Sequence, residues 1–138
     1  MTLDKIYRIL IAALVFVLIP LNSNAQTSFF DQFTPAGIWE ADDHDSRYEV
    51  SLCGDGTQIC AKLIWINPAK LNERNVQYMD KYVIYLGNRV RPAEWRGEID
   101  IYGTKVGGSV RVLGQDKLQV TGCAFLILCE GFKLDRIG

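Results

Sequence analysis

The stretch Arg47-Tyr48-Glu49-Val50-Ser51-Leu52-Cys53-Gly54-Asp55-Gly56-Thr57-Gln58-Ile59-Cys60-Ala61-Lys62-Leu63 decides how the chain is read. Tyr48, Val50 and Leu52 alternate with other residues, and so do Ile59, Ala61 and Leu63. A period of two gathers each apolar set on one face of a β-strand. Gly54-Asp55-Gly56 between them is strong turn chemistry, because Gly and Asp tolerate the backbone angles of tight turns. The stretch reads as a β-hairpin whose outward face carries both Cys53 and Cys60.

The same alternation continues on both sides. Ile38 to Ala41 is a first strand, and Tyr82 to Leu86 is a short apolar run closed by Gly87-Asn88. Trp95, Gly97, Ile99 and Ile101 alternate with Glu94, Arg96, Glu98 and Asp100. Val106, Gly108, Val110 and Val112 form another apolar row, followed by a turn at Gly114-Gln115-Asp116 and by Leu118 and Val120. A last strand lies around Leu128 to Leu134, and the polar Asn67 to Lys81 connection holds a short helical turn. No long helix intervenes, so antiparallel connections rather than parallel crossovers are expected. The chain is expected to be all-β, with about eight antiparallel strands in a sandwich or an up-and-down barrel. Closure removes exposed edges, and Gly97 and Gly108 on the inward parity mark the bending that a barrel needs. The barrel is the preferred reading.

The chain has 138 residues, with 49% hydrophobic and 22% charged, which is globular composition. The net charge of -1 lacks the basic excess of a nucleic-acid binder, so no nucleic-acid partner is expected. Lys5 and Arg8 precede an uncharged run from Ile9 to Leu21, and Ser23 and Ala25 are small. Residues 1–25 thus read as a secretory signal cleaved after Ala25, leaving 26–138 as a single domain. The run is too short for a stable membrane span. The product is expected in the periplasm of a bacterium or secreted.

Cys53, Cys60, Cys123 and Cys129 suit disulfides in an exported chain. Zinc is the competing reading, but the cysteine spacings exceed those of zinc ribbons and His44 is the single histidine. Three connectivities are possible. Strand parity prefers Cys53–Cys60 and Cys123–Cys129, each closing a short loop, with about 2.5 kcal/mol of chain-entropy stabilisation per bond.

Gly37-Ile38-Trp39 at the first strand and Arg136 near the end of the last are similar to the lipocalin-type pattern, in which a late Arg packs across the Trp. The ordered set Gly37, Trp39, Tyr48, Val50, Cys53, Cys60, Asn75, Trp95, Gly97, Ile99, Tyr102, Val120, Gly122, Cys123, Cys129 and Arg136 resembles the small exported bacterial family called domain of unknown function 2147. Leu134 stands where that family usually has a Trp, and Gly103-Thr104-Lys105 replaces its Asp-Gly turn. The resemblance implies a lipocalin-like barrel and export. It implies no established activity.

Candidate chemistry is sparse. Asp42-Asp43-His44-Asp45 could bind a divalent cation, or His44 could act as a base, but the segment also falls where a polar turn belongs. No nucleophile, phosphate or dinucleotide motif occurs, so no catalytic residue, metal ligand or cofactor is assigned, and enzymatic activity stays open. Trp39 reads as core, whereas Trp65 and Trp95 could line a cavity with Tyr48 and stack on a ligand. Glu130 shares the inward parity of Leu128, Phe132 and Leu134, and would pair with Arg136 or meet a ligand's polar head. Arg89, Arg91 and Arg96 could form an anion-binding rim or a solvated loop. The leading expectation is non-covalent binding of a small hydrophobic ligand through Tyr48, Trp65, Trp95, Glu130 and Arg136. The alternative is a cell-envelope interaction module with a filled core.

Overall fold

A computed structural model describes residues 29–125 and 127–138. The expected signal lies outside these residues. Eight strands succeed one another: β1 (Gly37–Ala41), β2 (Ser46–Cys53), β3 (Gln58–Ile66), β4 (Tyr82–Arg91), β5 (Glu94–Ile101), β6 (Thr104–Gly114), β7 (Lys117–Ala124) and β8 (Leu128–Arg136). Short helices α1 (Phe29–Gln32) and α2 (Glu73–Val76) precede β1 and interrupt the β3–β4 connection. Each strand pairs antiparallel with the next, and β8 returns to β1 with Trp39 opposite Arg136. The fold is a closed, up-and-down, eight-stranded antiparallel barrel.

This order gathers the β1–β2, β3–β4, β5–β6 and β7–β8 connections at one end of the barrel. The other end holds the remaining turns, the start of β1 and the end of β8, and aromatic side chains fill it. Trp39 is fully buried and its Nε1 donates to the Pro35 carbonyl at 2.9 Å. Trp95 is also buried, and its Nε1 donates to the Thr57 carbonyl at 2.8 Å. Arg136 lies across Trp39 with its guanidinium carbon 4.3 Å from the ring centre. Outward positions along the strands carry Glu49, Lys62, Arg96, Glu98, Arg111 and Lys133. Such charges do not belong to the apolar band of a membrane-spanning barrel.

The two disulfides join Cys53 to Cys60 and Cys123 to Cys129. Cys60 nevertheless differs from its expected setting. It lies on the outward parity but is buried, and the Leu86 amide donates to its sulfur at 3.3 Å. Gly87-Asn88 does not end β4 either. The strand runs on to Arg91, and a Cβ on Gly87 would come within 2.9 Å of the Ile59 side chain. That glycine serves a close approach between strands rather than a turn.

A second difference concerns Trp65. The β2–β3 ladder pairs Arg47 with Trp65 but Tyr48 with Leu63, so one extra residue is absorbed there. A bulge of this kind flips the parity of the residues beyond it. Leu63 and Ile66 are buried, while Trp65 is only half-buried, with the Arg47 guanidinium 4.4 Å from its ring centre.

Gly97 and Gly108 face each other across β5 and β6. A Cβ on Gly108 would overlap the Ile99 side chain and stand 2.6 Å from the Thr121 carbonyl oxygen. Neither neighbour can retreat without disturbing the β6–β7 ladder or the core. Gly108→Ala is expected to cost about 1–3 kcal/mol, the usual range for overpacking. Urea unfolding of the variant against the parent measures it, and an unchanged midpoint would refute this account of the glycine pair.

Candidate functional site

The barrel interior is divided along its axis. The aromatic end is packed, and above it a cavity of about 450 Å³ opens between the loops at the opposite end. That volume lies in the range of small-molecule sites. Ala61, Leu63, Ile84, Ile99, Val120 and Leu134 form its apolar depth, and Phe132 closes one side. These are inward positions of β3, β4, β5, β7 and β8, so the alternation that builds the core also builds the cavity wall.

Polar groups sit at the rim. Asp43 and Asp45 come from the β1–β2 connection, Asp100 from the end of β5 and Glu130 from the start of β8. Lys70 is the cation among the lining residues, and its Nζ lies 3.5 Å from Asp45. The rim therefore carries an excess of negative charge. Asp43 accepts from the Asp45 amide at 3.0 Å and Asp100 from the Gly103 amide at 2.6 Å, so both also shape their turns. Asn75 is buried below the β3–β4 connection, where it accepts from the Asn72 amide and donates to the Lys70 carbonyl. This reciprocal cap on α2 holds Lys70 at the rim.

Tyr48 reaches into the cavity from β2, with its ring centre 6.3 Å from that of Phe132. Burial pushes its phenol up to about 12, so the hydroxyl keeps its proton at neutral pH. The Ser46 hydroxyl donates to the Tyr48 oxygen at 3.0 Å. The two hydroxyls form one bonded pair on the cavity side of β2. Tyr102 stands at the rim beside Tyr78, and burial, then the charges of Asp43 and Asp45, raises its phenol as well.

Of the residues singled out from sequence, Tyr48 and Glu130 line the cavity together. Trp65, Trp95 and Arg136 do not line it. Trp65 is turned out by the bulge, and Trp95 belongs to the packed end. Arg136 donates to the Thr34, Ala36 and Gln115 carbonyls at that same end. It lies about 20 Å along β8 from Glu130, so the two do not pair. Asp43 and Asp45 were weighed as cation ligands, and Lys70, Asn75, Asp100 and Tyr102 were not singled out as ligand contacts. The Asn72-x-x-Asn75 spacing was the readable signal for Asn75, and the others reach the rim only through loop placement.

The arginine group has another task. Glu94 is buried, and Arg96, Arg111 and Arg91 surround it at 2.8, 3.4 and 3.5 Å. Arg89 donates to the Pro92 carbonyl. These guanidiniums cover a carboxylate on the outer wall of the barrel instead of forming an anion rim. His44 is bound to Glu40 at 2.5 Å, and Glu40 also accepts from Arg47 at 2.6 Å. Among the described residues no group of three or more His, Cys, Asp or Glu side chains gathers to hold a metal ion. Among them, too, no helix is long and apolar enough to cross a membrane.

The fold and the one-sided cavity define a class, a small disulfide-bonded barrel with an apolar interior site. Comparison with known proteins finds no matching family model, no matching curated protein and no matching solved structure.

The Glu40 and Glu94 ion pairs set a pH dependence. The Arg96 hydrogen bond holds Glu94 below its ordinary value of 4.5, and the His44 and Arg47 hydrogen bonds do the same for Glu40. The unfolded chain therefore takes up protons first as pH falls, so this stabilisation is complete above pH 4.5 and is lost below it. His44 acts in the opposite sense. Glu40 raises it above 6.5, so its contribution is present below that pH and fades as pH rises through the raised value. Urea midpoints measured from pH 8 to pH 3 are expected to fall on the acid side. The acid slope is expected to be shallower in Glu94→Gln, and an identical slope would assign the acid limb to other groups.

Proposed function

We propose that the protein binds a small, largely apolar molecule non-covalently in the barrel interior. The observation that carries this reading is the open, apolar-walled cavity of about 450 Å³ above a packed base. Binding would remove apolar ligand surface from water at roughly 25 cal/mol per Å². The bonded hydroxyls of Tyr48 and Ser46 offer a polar point on which a ligand group could orient. The carboxylates at the rim disfavour an anionic head and suit a neutral or cationic one. A purely structural module with a filled core is the second reading, and the bulk of Trp39 and Trp95 supports it for one half of the barrel only.

Export belongs with the same proposal. Two disulfides suit an oxidising compartment. Removal of residues 1–25 would deliver the barrel to the periplasm or beyond. The similarity to lipocalin-like barrels and to the family called domain of unknown function 2147 rests on the ordered residues from Gly37 to Arg136 and supports the same placement.

Native mass spectrometry and calorimetry with dodecanol, dodecylammonium and dodecanoate test the reading. The alcohol and the amine are expected to bind, and the carboxylate more weakly by roughly tenfold at low salt. Ala61→Phe, which projects a ring into the cavity, is expected to abolish binding while the circular dichroism of the barrel is kept. If none of the three probes binds the parent protein, the filled-core module replaces this proposal.

A further inference from the structure

The β7–β8 connection is the least expected part of the surface. Between the bonded Cys123 and Cys129 the chain reads Ala124-Phe125-Leu126-Ile127-Leu128, five apolar residues without a charge. Phe125 is 87% exposed, Ile127 82% and Leu128 66%. These side chains contribute nothing to the barrel core. The Phe125 backbone has φ 53°, in the left-handed region where Gly or Asn meets a lower steric cost. Neither core packing nor turn geometry therefore accounts for an aromatic at this position. The tip stands at the cavity end of the barrel, two residues along β8 from the rim residue Glu130.

We propose that this disulfide-closed tip inserts into the interfacial layer of a lipid bilayer of low surface charge and holds the cavity mouth against it. Three observations favour a bilayer over a protein partner. The exposed apolar side chains described there are three, Phe125, Ile127 and Leu128, too few for the roughly 800 Å² per partner of a standard protein interface. The mouth beside it carries Asp43, Asp45, Asp100 and Glu130, which interrupt the apolar surface that Ile101 and Phe132 offer there. A bilayer interface demands no matching shape and accepts Phe, Ile and Leu side chains from a protruding segment. The same carboxylates repel an anionic surface, which selects a zwitterionic one. The disulfide between the facing Cys123 and Cys129 joins the two arms immediately below the apolar residues. The tip is thus presented as one unit. This inference concerns the outside of the barrel and does not depend on what the cavity holds.

The test is sedimentation of the mature, oxidised protein with phosphatidylcholine vesicles, repeated with vesicles rich in phosphatidylglycerol. The parent is expected to partition onto the zwitterionic vesicles, with weaker partitioning onto the anionic ones at low salt. Phe125→Asn suits the left-handed turn and removes the aromatic. Its melting temperature is expected to match or exceed that of the parent while partitioning falls roughly tenfold or more, the weight of one large apolar side chain. Phe125→Trp is expected to add emission that brominated lipid quenches beyond the parent signal. A parent protein that stays in the supernatant would overturn the proposal, as would Phe125→Asn partitioning like the parent or a preference for anionic vesicles. A dimer that forms without lipid and is lost in Phe125→Asn would assign the tip to a second copy of the chain and likewise overturn it.

Discussion

The barrel depends on closing one seam, and Trp39 with Arg136 closes it. β1 is a strand of five residues, and by itself it offers β8 only a short ladder. The side chains complete the join. Trp39 fills the base of the interior, and Arg136 covers its ring while donating to carbonyls of Thr34, Ala36 and Gln115. A planar guanidinium with five donors can stack and hydrogen-bond at the same time, which a lysine cannot do. The last residues add backbone bonds to the same place, with Ile38 donating to the Gly138 carbonyl at 2.7 Å. The segment before β1 and the last residues of the chain are thereby drawn under one end of the barrel. The other end is left to the four loops that form the mouth.

That division explains why the interior is half full. The packed half holds two indoles whose nitrogens donate to backbone carbonyls, so their polar atoms are satisfied where they are buried. Above them, Gly97 lies against Gly87 of β4, and Gly108 against Ile99 and the Thr121 carbonyl, where no Cβ fits freely. Toward the mouth the inward residues are smaller aliphatics around Tyr48 and Phe132, and they do not reach across the lumen. Charge is arranged along the same axis. On the packed half, Glu94 is enclosed by three arginines. At the mouth, the carboxylates stay solvated and keep a negative field over the cavity.

The strands were legible because the barrel has one wet and one dry face, so its sequence alternates. The β2–β3 hairpin and the inward parity of Glu130 came from that rule with the Gly54-Asp55-Gly56 turn, and it favoured the cysteine pairs that form, although Cys60 is buried rather than outward. Trp65 escaped it because a single bulge reverses parity, and no residue in Leu63-Ile64-Trp65-Ile66 announces where the extra residue goes. Trp95 kept its inward parity, but parity does not tell the packed half from the open half. Arg89, Arg91 and Arg96 looked like a free cationic group. Their partner Glu94 was in plain view in the sequence, and only the β5–β6 pairing brought Arg111 to its other side.

The sequence by itself determined the antiparallel all-β architecture and the order of the strands, and it preferred one cysteine pairing of three. Those features rest on local alternation, turn residues and short loops, which act over a few residues. Only the tertiary structure decided that the sheet closes, that the Trp39 end fills while the Tyr48 end stays open, and that Asp43, Asp45, Asp100 and Glu130 meet around one mouth. Those features arise from residues far apart in the chain. Their distances depend on strand stagger and on bulges that local patterning does not encode.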